Sequence, residues 1–185
     1  MTSKTETPEE GGRVTAIMLH DDGQVPNNPT LPLVICRGVL DTGNSADPEA
    51  AFEELFHRNG WGHGWRNGIF DYHHFHSTAH EALGIARGHA EVQFGGPDGP
   101  VLSVGAGDVV AIPAGVGHCR VSGGTGLSVI GAYPRHQHWD LWQMGEGSLD
   151  LARENIASVP LPETDPVSGA SGPVTELWSK ATGKR

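Results

Sequence analysis

Cysteine is scarce in this chain: 185 residues hold two, Cys36 and Cys119. No CxxC pair or wider zinc-type spacing can be built from them, which removes thiolate metal sites from consideration. A disulfide between them stays open, but two thiols fit a reducing cytoplasm more simply. Positive charge is short as well. Lys and Arg number 12 against 22 Asp and Glu, a net charge of −10. With no basic patch to displace phosphate counterions, nucleic acid is not an expected partner, and neither is an anionic membrane surface. A run of about 18 apolar residues, enough to span a bilayer, is missing. The opening MTSKTETPEEGG is polar and lacks the apolar stretch of a secretion signal. No internal repeat is visible, so one domain is expected.

Turn formers are abundant instead. The 27 Gly and 13 Pro are spread along the chain, which suits many short strands better than a helical bundle. Residues 1–12 read as a disordered tail. Val14 to His20 and Leu33 to Leu40 have strand character. Asp47-Pro48 supplies a helix cap and first residue, and Phe52, Leu55 and Phe56 give the helix one apolar face up to Asn59-Gly60. Trp61 to Gly68 (WGHGWRNG) reads as a connection. From Ile69 to Tyr133, short apolar runs alternate with Gly-centred turns, giving seven candidate strands. That is the pattern of an all-β sandwich or barrel. The expected organisation is a single domain over 13–159 with its barrel core at about 68–134. A second short helix falls near Ser148 to Ile156. An extended C-terminal arm over 160–185 is rich in Pro, Gly and Ser, with Leu177 and Trp178 available to pin it.

Four of the 11 histidines crowd into HHFHSTAHEALG, residues 73–84. An HxH alone is a weak signal, since one is expected roughly once by chance at this histidine content. The surroundings are more specific. Gly68, His74, His76, Glu81 and Gly88 fill every position of the pattern G-x5-HxH-x(3,4)-E-x6-G. Gly107, Pro113, Gly115 and His118 match G-x5-PxG-x2-H, with Ser122 where Asn would complete it. These are the two motifs of the cupin superfamily, which the sequence resembles. Its phrases NNPTLPLVICRGVL, RNGWGHGWRNG, PAGVGHC, GAYP before QHWDL, and NIASVPLPETDPVSGASGPVTELW are similar to those of small single-domain bacterial cupins with no assigned activity. The likeness covers nearly the whole chain after residue 12.

The resemblance implies a single all-β cupin barrel, a jelly roll with one or two short flanking helices. It also implies a divalent transition metal ion (Fe, Mn, Ni, Cu, Co or Zn) held by His74, His76, Glu81 and His118. Strand periodicity agrees, since residues two apart share a face and His74 and His76 would project together. Three imidazoles and one carboxylate suit such ions and not calcium. By phase, His73 and His80 turn away into supporting or surface roles, and Cys119 packs. Tyr72 and Arg120 fall in phase with ligands and are expected to line a substrate pocket. His136 and His138 read as surface or mouth residues. The expected function is a metal-dependent enzyme of the dioxygenase type, acting on a small chelating organic substrate with Glu81 as catalytic base. A metal-dependent isomerase or lyase, and a non-catalytic small-ligand-binding protein, are the alternatives. The resemblance also allows a homodimer.

Overall fold

The computed structural model describes residues 14–183; the expected tail over 1–12 lies outside the described residues. Two antiparallel sheets face each other. The first contains β1 (Val14–Ile17), β2 (Leu33–Cys36), β3 (Trp61–Asn67), β5 (Glu81–Arg87), β8 (Val109–Ile112) and β10 (Ser128–Pro134), in the order β1-β2-β8-β5-β10-β3. The second contains β4 (His74–Phe75), β6 (His89–Phe94), β7 (Val101–Gly105), β9 (His118–Gly123) and β11 (Trp142–Gln143), in the order β11-β4-β9-β6-β7. This is an all-β jelly-roll barrel. Three short helices flank it: α1 (Pro48–Arg58), α2 (Leu149–Ser158) and α3 (Pro173–Ala181). No helix among the described residues is long and apolar enough to cross a membrane.

The central strands of the first sheet are buried on both faces, so β2, β5 and β8 read as nearly unbroken apolar runs. On β5, Leu83 and Ile85 point into the barrel, where they meet Ala90, Val92, Phe94 and Val104 of the second sheet. Ala82 and Ala86 point outward onto Phe52, Leu55 and Phe56 of α1 and onto Val174 and Trp178 of α3. Two apolar layers therefore stack on one sheet, and the second holds α1 and α3, while α2 packs through Ala152 on Phe75 and Val25. Asp47 caps α1 by accepting from Ala50 N at 2.9 Å. Ser148 caps α2 through Leu151 N.

Two segments differ from their sequence reading. Trp61–Asn67, expected as a connection, is strand β3, paired with β10 on the edge of the first sheet. Gly64 serves close backbone approach rather than a turn: a Cβ there would lie 2.2 Å from the carbonyl oxygen of Gly131. The segment expected as an extended arm instead forms α3. Its Trp178 is fully buried and donates to Pro32 O at 2.9 Å. Asp165, also fully buried, accepts from Val174 N and Thr175 N at the start of that helix. An apolar residue at each of positions 174 and 178 is the i, i+4 signal of this helix, and Pro173 at its start fits the first turn. The Pro and Gly around it obscure that signal. Cys36 and Cys119 are unpaired and buried, and burial pushes the Cys36 thiol up to about 11.

Candidate metal centre

His74 opens β4 and stands directly across from His118 at the start of β9, with ring centroids 4.0 Å apart. His76 follows β4. Its ring lies 6.1 Å from each of the other two. One ring nitrogen from each of these buried histidines falls within 4.8 Å of the others. Glu81 comes from the opposite sheet, as the first residue of β5. Its Oε1 lies 3.4 Å from His76 Nε2, and its Oε2 lies 3.4 Å from His118 Nε2. The site thus bridges the two sheets. Pro113 and Gly115 bring the chain into β9, and Gly115, at φ +91°, adopts a conformation that other residues rarely reach.

The second nitrogen of each imidazole is already occupied. His74 Nδ1 meets Tyr72 O at 3.0 Å, His118 Nδ1 meets Val116 O at 3.2 Å, and His76 Nδ1 meets Asp140 O. A carbonyl only accepts, so Nδ1 carries the hydrogen in each case. In the neutral rings this leaves three Nε2 lone pairs converging beside a carboxylate. Glu81 is 1% exposed, and its Oε2 has no hydrogen-bond partner. A buried carboxylate oxygen facing only acceptors is costly unless a cation sits among them. This donor set fits a divalent transition metal. It offers neutral nitrogens and one anionic oxygen, each held in orientation by a further contact.

The electrostatics follow from the same contacts. Burial, and then the neighbouring His118, push His74 down to about 3. Burial also opposes charge on His76, but Glu81 and the Asp140 carbonyl outweigh it and raise this histidine. Burial opposes ionisation of Glu81 too, yet the flanking His76 and His118 hold it well below the usual carboxylate range. A raised His76 lets a proton compete with a metal ion for its Nε2, so metal affinity rises with pH.

Further residues complete the site. Tyr133, on β10, donates to Glu81 Oε1 at 2.8 Å and accepts from Trp65 Nε1 at 2.8 Å. Burial and the adjacent carboxylate raise the Tyr133 phenol, so it stays a donor. Asp140 accepts from the backbone nitrogens of Ser77 and Thr78, from the Ser77 hydroxyl and from Trp142 Nε1. Those bonds hold its carboxyl below its usual range although burial works against this. Trp139 stacks on Tyr133, with centroids 5.5 Å apart and planes 18° apart, and its ring lies 5.6 Å from that of His76.

Of the six residues expected in the site, His74, His76, Glu81 and His118 come together around one cavity of about 250 Å³. Tyr72 and Arg120 do not line it. Residues 71–73 bend before β4 begins, so the two-residue period fails there. Tyr72 turns to stack on Phe70 at 4.9 Å and supports His74, through its carbonyl and through a ring edge-on to the imidazole at 5.5 Å between centroids, without lining the cavity. Phe70 lines the cavity in its place. Arg120 donates to Ile69 O and Gly123 O, and faces Asp71 at 3.8 Å. The backbone of Ile69 and Phe70 holds Arg120, while both residues line the cavity. His80 is buried on the helix side. Its Nδ1 accepts from Ala114 N, its Nε2 donates to Pro160 O, and its ring packs on Trp178. Burial pushes it down to about 4, so it is neutral. His136 and His138 are exposed and line no part of the cavity.

Sequence reasoning missed Tyr133, Trp139 and Asp140. The one available signal is an aromatic at the end of an inward-facing strand, followed by QHWD. No spacing rule ties that phrase to residues some 60 positions earlier.

No protein-family model matches the chain. It is similar to a Bacillus subtilis (strain 168) protein named Uncharacterized protein YjlB, with 38% identity over 161 residues, covering 86% of this chain and 93% of the relative. Among solved structures it is similar to procruciferin, the 11S globulin of Brassica napus, at a TM-score of 0.39 and 15% identity. That likeness covers 84% of this chain, and the chain spans 42% of the globulin chain.

Proposed function

The chain belongs to the same family as YjlB of Bacillus subtilis, and from its own site we propose that it is a metal-dependent enzyme, an oxidoreductase of the dioxygenase type acting on a small chelating organic molecule. The observation that carries this reading is the pairing of an unpartnered Glu81 Oε2 with three histidines on the wall of an internal cavity. His74, His76, Glu81 and His118 would hold one Fe, Mn, Ni, Cu, Co or Zn ion. When bound, the ion supplies Lewis acidity and about two open positions for exogenous ligands.

The rest of the chemistry belongs to the chain. Tyr133 fixes Oε1 of Glu81, so Oε2 would be the oxygen that holds the ion and, on loosening from it, the one that accepts a proton from an acidic C–H or O–H of the substrate. Trp65, Ile69, Phe70, Leu83, Trp139 and Leu141 supply apolar walls that thin the water around the reacting atoms. The same base, used without dioxygen, would serve an isomerase or lyase. The same cavity, without turnover, would serve a binding protein.

Oxygen uptake by the Fe(II)-loaded protein, screened against chelating diols and hydroxy acids, separates these readings. Consumption of O2 coupled to substrate loss is expected. Conversion that proceeds unchanged under argon would move the assignment to isomerase or lyase. Tight binding with no conversion in either atmosphere would leave a binding protein.

A further inference from the structure

The cavity's wall is uniform in one respect: among the described residues, no lysine or arginine lines it, and Glu81 is its sole acid. Arg120, close in sequence to His118, is turned away and bonded to backbone carbonyls. Beyond the histidines and Glu81, the lining residues with polar side-chain atoms are uncharged: Asn67, Tyr133, whose hydroxyl Trp65 and Glu81 already engage, and the indoles of Trp65 and Trp139. Two exposed aromatics stand where the cavity meets solvent. Phe70, 40% exposed, touches the His74 ring at 5.1 Å, and Trp139, 44% exposed, touches the His76 ring at 5.6 Å. Leu141, also exposed, adds to this apolar mouth.

From this the geometry points to a substrate class: a flat, single-ring or similarly small molecule with an apolar tail and one chelating head that ionises only once, such as a catechol or an enolisable hydroxyketone. The inference rests on the metal-site reading above. A divalent ion beside one carboxylate leaves a single net positive charge. One ionised donor oxygen neutralises it. A phosphate or a second carboxylate would carry an uncompensated negative charge against an apolar wall, which is costly, and a protein net charge of −10 adds no remedy. Size agrees. A dry cavity of roughly 150 Å³ holds benzene, so about 250 Å³ holds one substituted ring. Phe70 and Trp139 each flank a different ligand histidine, so a ring bound at the metal lies within reach of both faces or edges.

The test compares ligands with the same chelating head. Ni(II)-loaded protein under argon is titrated calorimetrically with 4-methylcatechol and with 3,4-dihydroxybenzoate, which differ by one carboxylate on the tail. Methylcatechol is expected to bind at least about tenfold more tightly. Phe70→Ala and Trp139→Ala should each weaken it about three- to tenfold with nickel stoichiometry unchanged. Leu141→Arg, at an exposed rim position that tolerates a long side chain, should narrow or reverse the preference. Equal or tighter binding of the dihydroxybenzoate by the unaltered protein overturns the inference while leaving the metal site standing. Failure of the unaltered protein to retain nickel on elemental analysis overturns the site reading and this inference with it.

Discussion

Stripping the metal from the loaded protein with a chelator should lower its melting temperature by about 8–16 °C. An ion that binds only the folded state stabilises it by about 4 kcal/mol when free metal exceeds the dissociation constant a thousandfold. For a domain of this length each kcal/mol is worth about 2–4 °C. The structure gives a local reason for the sensitivity. Without a cation, Glu81 is a buried carboxylate whose Oε1 has the Tyr133 hydroxyl but whose Oε2 lacks a hydrogen-bond partner and faces the His118 imidazole at 3.4 Å. Calorimetry with and without chelator measures the shift, and re-adding metal should restore it. A melting point indifferent to the chelator would mean that these four residues form a self-sufficient polar cluster.

Asp140→Ala is expected to be the most damaging substitution outside the ligand set. Its carboxylate accepts from two backbone N–H groups, one hydroxyl and the Trp142 indole. Its carbonyl orients His76. The substitution leaves that carbonyl in the chain but removes the bonds that hold the segment against Ser77 and Thr78. Asn155, from α2, donates to the same Ser77 hydroxyl at 2.9 Å, so the disturbance extends to that helix. Loss of these partners should cost about 3 kcal/mol of stability. Slackening of His76 should weaken metal binding about 10- to 100-fold. Urea denaturation of the metal-free protein measures the first effect and competition with a metal indicator measures the second. A stability loss with unchanged metal affinity would reduce Asp140 to a cap on the Ser77 turn.

What was legible in the sequence, and what was not, follows from the range of the interactions. The cap at Asp47, the apolar face of α1 and the Gly-punctuated strands are local patterns, and the barrel they imply is present. The HxH and its flanking glycines are local too: His74 opens β4, and Gly68 and Gly88 directly follow β3 and β5. Strand phase worked for His80, which faces outward with Ala82 toward α3. It failed for Tyr72 because residues 71–73 are bent, so counting by twos had no strand to count along. For Arg120 the phase was not the difficulty. A neighbouring segment, Ile69 to Asp71, captures the guanidinium and stands on the cavity side of it. β3 was hidden because its glycines read as turn formers, whereas Gly64 is present for close packing against Gly131. Tyr133 reaches Glu81 across 52 positions and Asp140 reaches residues 76–78 across 62 to 64, beyond the reach of any local period.

The central claim is that His74, His76, His118 and Glu81 hold one metal ion. Elemental analysis of the purified protein, set beside a His74→Ala, His118→Ala double variant, tests it most directly. One transition metal per chain in the unaltered protein, and none in a double variant that retains the native circular dichroism spectrum, is the result predicted. Stoichiometric metal retained by the folded double variant, or none in the unaltered protein after exposure to Fe, Mn, Ni, Cu, Co and Zn salts, would contradict it.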